Sequence, residues 1–460
     1  METDHEATAV AYLAERRPRA VPPANRILIL GGGFGGLYAA LELEKALREN
    51  PSVQITLVNR ENFFLFTPML HEIAASDLDF THIVNPIRKL LKKVGFFHGE
   101  VESIDLQSRR VLVLHGPERH LHELDYDYLV IALGSITNYY GVSGLEGKAI
   151  AMKSLGDAIH LRNQLIDLLE EADFECAVGS RAELLTVVVA GGGFSGVETV
   201  AAVNDFLRGA LRSYPHLAGN LIRVVLIHPG EFVLPELGPE LGRYAQEKLA
   251  KSGVEIRVKT KVERVSHSGV ELDDGTTIRT KTVVWTAGTS PNPILNRLPC
   301  FKEHGKLKVT SFLEVPGVEG VWALGDCALA LDPKTQKPYP PTAQHAMRQG
   351  KLVARNIVAA IRGGKKKAFE FSTIGLLAAI GRRSGVANIL GVNFSGFVAW
   401  FLWRTIYLSK LPRLEKKVRV AFDWTLDLLF AKDLVHFMIL RSPTTSSREE
   451  AEPNAAAITK

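Results

Sequence analysis

Twice along the chain an apolar, strand-like run enters a glycine turn that opens into a helical pattern. Ile27, Leu28, Ile29 and Leu30 lead into Gly31-Gly32-Gly33-Phe34-Gly35-Gly36, and a helix-like run from Leu37 to Leu47 follows. Leu185 to Ala190 leads into Gly191-Gly192-Gly193-Phe194-Ser195-Gly196 and again into a helical run. Gly31, Gly33 and Gly36 in the first turn, like Gly191, Gly193 and Gly196 in the second, stand at the dinucleotide-binding spacing. The first glycine of such a set permits the tight turn, the second lets a diphosphate approach the backbone, and the third packs helix on strand. Free N–H groups at the helix start then face the anion. One such turn could be plain structure, but an internal repeat of this length argues against accident. The pair predicts two dinucleotide sites, one for a tightly held flavin and one for a visiting nicotinamide.

At 460 residues the chain has room for roughly three domains of 100 to 200 residues. Its 46% apolar content is that of a globular protein with a full core, and a net charge of +5 gives no argument for nucleic acid. Cys176, Cys300 and Cys327 are far apart, with no CxxC. That spacing speaks against a disulfide framework, a zinc site or the close redox pair of disulfide-reducing flavoproteins. No metal site is expected. Met1 to Asn25 is polar with both charge signs and no apolar h-region, so it reads as a disordered extension, neither signal peptide nor anchor. The fold is expected to begin at Arg26.

A second strand, Val53 to Val58, ends at Asn59, where a ribose-binding carboxylate is usual. Asn59 can make neutral hydrogen bonds there, or simply be a strand-end turn residue. Phe63 to His71 is apolar without a regular period and suits either a loop over a flat ring or a core segment. Phe96 to Leu114 reads as strand, turn, strand, and Tyr128 to Leu133 as a buried strand ending at Gly134-Ser135, where backbone could meet a cofactor. A linker, Gly141 to Gly147, precedes the second unit. Glu198, two residues past Gly196, reads as lying in the first helical turn, where the dipole favours a carboxylate. It either stabilises that helix start or positions a ring and handles protons. Ile222 to Ile227 ends at His228. A carboxylate there would repel a 2′-phosphate and a neutral histidine would not, so NADH and NADPH both stay open. Pro235 to Gly253 reads as loop then helix, and Val254 to Glu271 as paired strands.

Val283 to Trp285 leads to Ala287-Gly288-Thr289 and a crossing back towards the first unit. Val321 to Leu324 ends at Gly325-Asp326, an acid placed for a polyol such as the flavin ribityl or for a helix N-cap. A helix then opens with Ala343-Gln344. Gln344 and Arg348 are one turn apart on one face, addressing either an acceptor carbonyl or solvent, and His345 reads as a solvated or hydrogen-bonded helix residue. Phe394 to Leu408 reads as an aromatic-rich helical run whose unbroken apolar piece, Phe397 to Trp403, falls short of the roughly 20 residues that span a bilayer. Arg404, Lys410, Arg413, Lys416, Lys417 and Arg419 border it, and Val418, Phe422, Leu426 and Leu429 form a second apolar stripe. Such a pair fits the interface of an anionic membrane, with a dimer interface or a core helix as alternatives.

Over about Arg26 to Leu440 these segments together resemble a type II NADH dehydrogenase, the single-subunit flavoprotein NADH:quinone oxidoreductase. The carrying residues are the two glycine turns, Leu65-Phe66-Thr67-Pro68-Met69-Leu70, Gly325-Asp326, the Ala343-Gln344 motif ending at Gln349-Gly350, and the Trp-rich tail. The resemblance implies an α/β fold with two Rossmann-like domains, the second inserted in the first, and a C-terminal amphipathic membrane-binding region. Residues 26–150 and 291–372 would form the FAD-binding domain, 151–290 the NAD(P)H domain and 373–440 the membrane-associating region, with 1–25 and 441–460 disordered. It implies FAD at Gly31, Gly33, Phe34, Gly35, Gly36 and Asp326, and NADH, with NADPH possible, at Gly191, Gly193, Phe194 and Gly196. Further cofactor contacts are expected at Asn59, Arg60, Thr67, Val101, Gly134, His228, Gly288, Gly325, Ala343 and Gln344. Glu198 matches the family's functional glutamate near the isoalloxazine and Gln344 its quinone-site glutamine, with Arg348 as a third group near the reaction. NAD(P)H would pass a hydride to FAD, and two electrons would go on to a membrane quinone without proton pumping. Such proteins are typically homodimers on the cytoplasmic or matrix face of an energy-coupling membrane, and a peripheral seat on the cytoplasmic face of the inner membrane is expected here. Asn59 and His228 replace the family's usual acids, and Arg348 stands where glutamine is frequent. The rival readings are a sulfide:quinone reductase and a non-catalytic NADH-sensing flavoprotein.

Overall fold

The computed structural model describes residues 25–437 apart from Cys176 and Ala218. The N-terminal extension to residue 24 and the tail beyond Arg441, both expected to be disordered, lie outside the described residues. The first strand starts at Asn25, one residue earlier than expected, and pairs Asn25 with Val53.

Two parallel sheets carry the molecule. The first has the order Val321–Ala323, Tyr128–Ile131, Asn25–Leu30, Val53–Asn59, Gly95–His98. The second has the order Ile150–Ala151, Thr282–Trp285, Thr186–Ala190, Arg223–Ile227, Val254–Arg257. Strand Val321–Ala323 joins the first sheet only after the whole second sheet has been built, so the second unit is inserted in the first. Strands Asn25–Leu30 and Thr186–Ala190 each lie between the strand that follows next in their sheet and one that returns from much later in the chain. Each is a switch point, beyond whose carboxyl end open α/β sheets bind their ligands. Both read as continuous apolar runs because both of their faces are covered: Leu28 to Leu30 and Val187 to Ala190 are no more than 2% exposed.

Between the units the chain crosses twice, and the crossings pair as an antiparallel ribbon, Ser135–Thr137 with Thr289–Pro291. Helix Phe34–Leu47 packs on helix Ala343–Ile361 so closely that a Cβ on Gly350 would lie 2.2 Å from the carbonyl oxygen of Gly35. Backbone-to-backbone contact of that kind requires glycine. In the second unit Val254–Arg257 extends the parallel sheet, while Val262–Ser266 pairs with Gly269–Leu272. The expected single pair of strands over 254–271 is therefore two separate features.

The C-terminal region is a three-stranded antiparallel sheet, Gly375–Ala379, Gly385–Ile389 and Val392–Ser395, followed by helices Gly396–Lys410 and Leu414–Leu429. Phe394, expected at the head of the helical run, lies on the last strand, because the helix starts only at Gly396. Trp403 and Trp424 point inward at 1% and 4% exposure, while Phe397, Val398, Phe401, Val418, Phe422 and Leu429 are each more than half exposed. The expected basic border is also thinner. Arg404 is stacked between Trp400 and Trp424, at 4.2 and 4.7 Å from the ring centres. Lys416 is buried and donates to the Thr81 carbonyl at 2.6 Å. Both cations are internal struts, their charge met by aromatic faces and carbonyls. Beyond the second helix, residues 433–437 are pinned by the buried Arg162, which donates to the carbonyls of Asp433 and Val435 and lies 3.7 Å from the Phe437 ring centre. No helix among the described residues is long and apolar enough to cross a membrane.

Candidate active site between the two glycine turns

The three glycines of each turn are bare for different reasons. Gly31 and Gly191 have φ of +99° and +115°, the left-handed region that favours glycine. Gly36 and Gly196 would place a Cβ 1.9 and 1.7 Å from the carbonyl oxygens of Gly31 and Gly191. Gly33 and Gly193, by contrast, have ordinary φ of −75° and −77°, and no atom lies within 4 Å of the point a Cβ would occupy. No protein atom demands glycine there, which leaves the backbone open to close approach by a ligand. Both are helix N-caps with no side-chain cap and no acid in the first turn. The unspent N–H groups and the positive helix end fit a diphosphate.

Each turn is braced in the same way by the end of the neighbouring strand. Gly32 N–H donates to Asn59 Oδ1 at 2.7 Å and Gly192 N–H to His228 Nδ1 at 3.2 Å. Asn59 also donates to the Glu61 carbonyl at 2.7 Å, which leaves one amide proton and one lone pair for a ribose. Accepting through Nδ1 places the proton of a neutral His228 on Nε2, and burial lowers the tendency of this imidazole to protonate. Arg60 is mostly exposed beside Glu61, and Val101 is half-buried on strand Glu100–Asp105.

Beside the second turn, whose Ser195 lines it, lies a cavity of about 240 Å³ walled from both units, by Thr67, Pro68 and His71 on one side and Lys153, Glu198, Thr286 and Gly288 on the other. The apolar segment after Phe63 is partly core and partly cavity wall. Phe64, Phe66 and Met69 are buried under it while Thr67 and Pro68 face the cavity. Phe34 packs edge-on to Phe64 at 4.9 Å, whereas Phe194 packs partly buried against the core. Gly134, at φ +66°, has open space where a side chain would go. Lys153 Nζ donates to Ser135 Oγ at 2.8 Å, and Ser135 Oγ to Asp326 Oδ2 at 2.7 Å. Gly325 N–H donates to Gln349 Oε1 at 2.8 Å. Asp326 is thus aimed and held by its neighbours without capping a helix, and helix Ala343–Ile361 fixes its turn from behind.

Glu198 is the fifth residue of helix Phe194–Ala210, in its second turn, and the first turn holds no acid. The helix-dipole reason for a carboxylate in the first turn therefore lapses, and its surroundings come from elsewhere. Oε1 accepts from Trp403 Nε1 at 2.8 Å and from the Ala379 N–H at 3.2 Å, and Oε2 lies 3.8 Å from His71 Nδ1. Burial pushes the Glu198 carboxyl up to about 8, against the pull of those two donors, and pushes His71 down to about 3. At neutral pH the pair is a protonated acid beside a neutral imidazole. Glu72 repeats the pattern: both its oxygens are 3.1 Å from Trp424 Nε1, and burial pushes it up to about 8. His71 and Glu72 are not among the residues that sequence reasoning singles out. In the sequence they close an apolar run, and no spacing links them to tryptophans far downstream.

Gln344 and Arg348 do share a face, directed at segment 371–375. Gln344 Nε2 donates to the Gly375 carbonyl at 3.2 Å, and Arg348 donates to the Gln344 carbonyl at 3.0 Å with its guanidinium 4.0 Å from the Phe371 ring centre. Neither lines the cavity that holds Glu198. His345 is buried and hydrogen-bonded to Thr342 Oγ1 at 2.7 Å, and no cluster of metal-ligating residues occurs among the described residues. Cys327 is buried, its thiol directed at the Leu324 carbonyl and pushed up to about 11.

Residues 25–350 match the pyridine nucleotide-disulphide oxidoreductase family, and residues 374–433 match the NDH2 C-terminal domain. The chain is 32% identical to the type II NADH:quinone oxidoreductase Ndh of Mycobacterium tuberculosis over 90% of each protein. It is 31% identical to a probable NADH dehydrogenase of Dictyostelium discoideum over 93% of this chain and 94% of that one. In fold it is similar to NDH2 from Plasmodium falciparum in complex with NADH (TM-score 0.83, 20% identity, 90% of this chain and 100% of that one). The sulfide:quinone oxidoreductase of Aquifex aeolicus is more distant in fold (TM-score 0.68, 18% identity, 89% and 96%). With two glycine turns of one design and similarity running through the C-terminal helices, the chain belongs to the type II NADH:quinone oxidoreductases.

Proposed function

We propose that this protein is a non-proton-pumping NAD(P)H:quinone oxidoreductase holding FAD in the first glycine turn and NADH, or NADPH, in the second. The observation that carries this reading is the open space over Gly33 and Gly193 at two uncapped helix starts, one in each unit. Residues 26–150 and 291–372 form the FAD unit, 151–290 the nicotinamide unit and 373–440 the membrane-associating region. The residues present fit the flavin: Gly31 to Gly36 for its diphosphate, Asn59 for ribose, Gly134 as an open backbone edge, and Asp326 for a polyol. FAD, when bound, accepts two electrons from the reduced nicotinamide and yields them to a quinone. The chain's own contribution is alignment, exclusion of water and proton supply. Glu198 holds a proton at its carboxyl beside the cavity, and Gln344 and Arg348 stand by segment 371–375, towards the tail, where a quinone would arrive.

The outward stripe of Phe397, Phe401, Val418, Phe422 and Leu429, with Lys410, Arg413, Lys417 and Arg419 nearby, suits a peripheral seat on an anionic lipid surface. We place the protein as a homodimer on the cytoplasmic face of the inner membrane. His228 offers no negative charge to repel a 2′-phosphate, which supports use of both nucleotides. Sulfur chemistry is not favoured, since the Cys327 thiol is buried and held protonated. The test is steady-state quinone reduction by purified, flavin-loaded protein with NADH and NADPH side by side. Rapid, quinone-dependent oxidation of the nucleotide is expected. Slow reduction ending in a long-lived charge-transfer complex would mean a sensor, and a protein that takes up no flavin would end the proposal.

A further inference from the structure

The wall made by His71 and Glu198 separates two cavities. Both residues line the first cavity, beside the second glycine turn, and both also line a second one of about 320 Å³ that includes no residue of either turn. Exposed Arg212, Arg382 and Arg383 stand at its rim. Glu72, 6% exposed, lines the second cavity and not the first. It follows His71 directly in the short helix Leu70–Ala74, and His71 Nδ1 lies 3.8 Å from Glu198 Oε2. Each is clamped by an indole from a different tail helix, Glu198 by Trp403 and Glu72 by Trp424.

The inference rests on the quinone reductase reading. The overall reaction, NADH + H⁺ + quinone → NAD⁺ + quinol, takes one proton from water for every electron pair. That proton has to reach a wall whose side chains are buried. We propose that Glu72 is a positioning residue for proton supply, taking protons from water in the second cavity and passing them, past His71, to Glu198 each time Glu198 has given its own up. No electron changes place among these residues: the O–H bond of Glu72 breaks as that of Glu198 forms, and water in the cavity reprotonates Glu72. Both carboxyls are pushed to about 8, so both carry a proton at neutral pH. The other charged groups around Glu72 are Asp77, ion-paired with Lys432 of the C-terminal segment, Asp205 on the Glu198 helix, Arg404 and Asp427 on the tail helices, and the rim arginines. Cations outnumber acids among these groups, and burial still holds the proton on Glu72 against the pull of Arg404.

The test uses Glu72→Gln in the full-length, flavin-loaded protein, since glutamine keeps an acceptor for the Trp424 indole but carries no acid proton. Bleaching of the flavin by NADH without quinone serves as the control and is expected at the wild-type rate. The return of flavin colour on adding quinone is expected to slow by about tenfold or more, and to recover partly with formate, a small weak acid the second cavity can admit. Independently of turnover, an infrared pH titration is expected to lose one protonated-carboxyl C=O band. Wild-type recovery of colour at every pH, or slowing that formate does not relieve together with an unchanged infrared titration, overturns the proposal. Failure of the wild-type protein to be reoxidised by quinone would count against the parent reading instead. Should Glu72→Gln not retain flavin, Trp424→Phe takes its place. Losing the indole N–H is expected to move the alkaline limb of the quinone step to higher pH, and an unmoved limb overturns the proposal.

Discussion

Replacing Gly193 by alanine separates what the turn needs for folding from what it needs for a ligand. At φ −77° alanine is unstrained, and its methyl meets no protein atom within 4 Å. Alanine is a poorer N-cap than glycine by about 0.5–1 kcal/mol, while a less flexible unfolded chain returns about 0.4–1 kcal/mol. The two nearly cancel, and the melting temperature and flavin content are expected to stay near wild type. A methyl in the path of a diphosphate, however, costs about 1–3 kcal/mol of overpacking, or roughly 5- to 150-fold in affinity. The KM for NADH should rise in that range with kcat little changed. Gly196→Ala is the contrast: its Cβ would sit 1.7 Å from the Gly191 carbonyl oxygen, a backbone atom with nowhere to go. About 3 kcal/mol or more of stability should be lost. The assays are differential scanning fluorimetry and NADH titration. A Gly193→Ala protein with an unchanged KM, or one that melts as early as Gly196→Ala, would refute the assignment of that open space to a nucleotide.

Four other outcomes are expected. His228→Glu should raise the KM for NADPH far more than that for NADH through repulsion of the 2′-phosphate, read as the ratio of the two specificity constants. Changing Phe397, Phe401 and Phe422 together to serine should release the protein from anionic vesicles in a flotation assay, since each inserted ring is worth about 1.5–3 kcal/mol; undiminished binding would move the membrane surface elsewhere. Arg162→Met should loosen residues 433–437 towards limited proteolysis and lower stability by about 1.5–3 kcal/mol through loss of the charged hydrogen bonds to the Asp433 and Val435 carbonyls. Glu198 titrates near 8 in the folded chain against an ordinary value of 4.5, so its contribution to stability is full below about pH 4.5 and is lost as pH rises to about 8. Glu198→Gln should therefore flatten the alkaline fall in melting temperature by an amount on the order of a few kcal/mol, and an unchanged slope across that window would contradict the burial argument.

Glycine turns are legible in a sequence because their logic is local: strand, turn and helix lie within a few residues, and the bare positions are set by contacts inside that unit. The same holds for Asn59 and His228, whose place follows from the next strand. What sequence spacing does not supply is any contact made by a residue far along the chain. Glu198 is marked by its distance from Gly196, yet its partners are Trp403 and Ala379, on elements folded back across the whole second unit. Glu72 has no such marker. Arg404 and Lys416 read as border cations because amphipathic patterns assume that charge faces water, and stacked indoles or a stray carbonyl can hold it inside instead. Gln344 and Arg348 do fall on one face as their spacing requires, but a helical repeat does not say what that face meets.

The paired crossings at Ser135–Thr137 and Thr289–Pro291 constrain movement as well as topology. Two separate single-chain links would act as a universal joint. Laced together by hydrogen bonds, they behave as a stiff torsion bar, so the halves cannot swing apart like a clam without unzipping it. Opening of the cleft between the halves is therefore coupled to the ribbon, and any hinge motion has to bend or twist both crossings together.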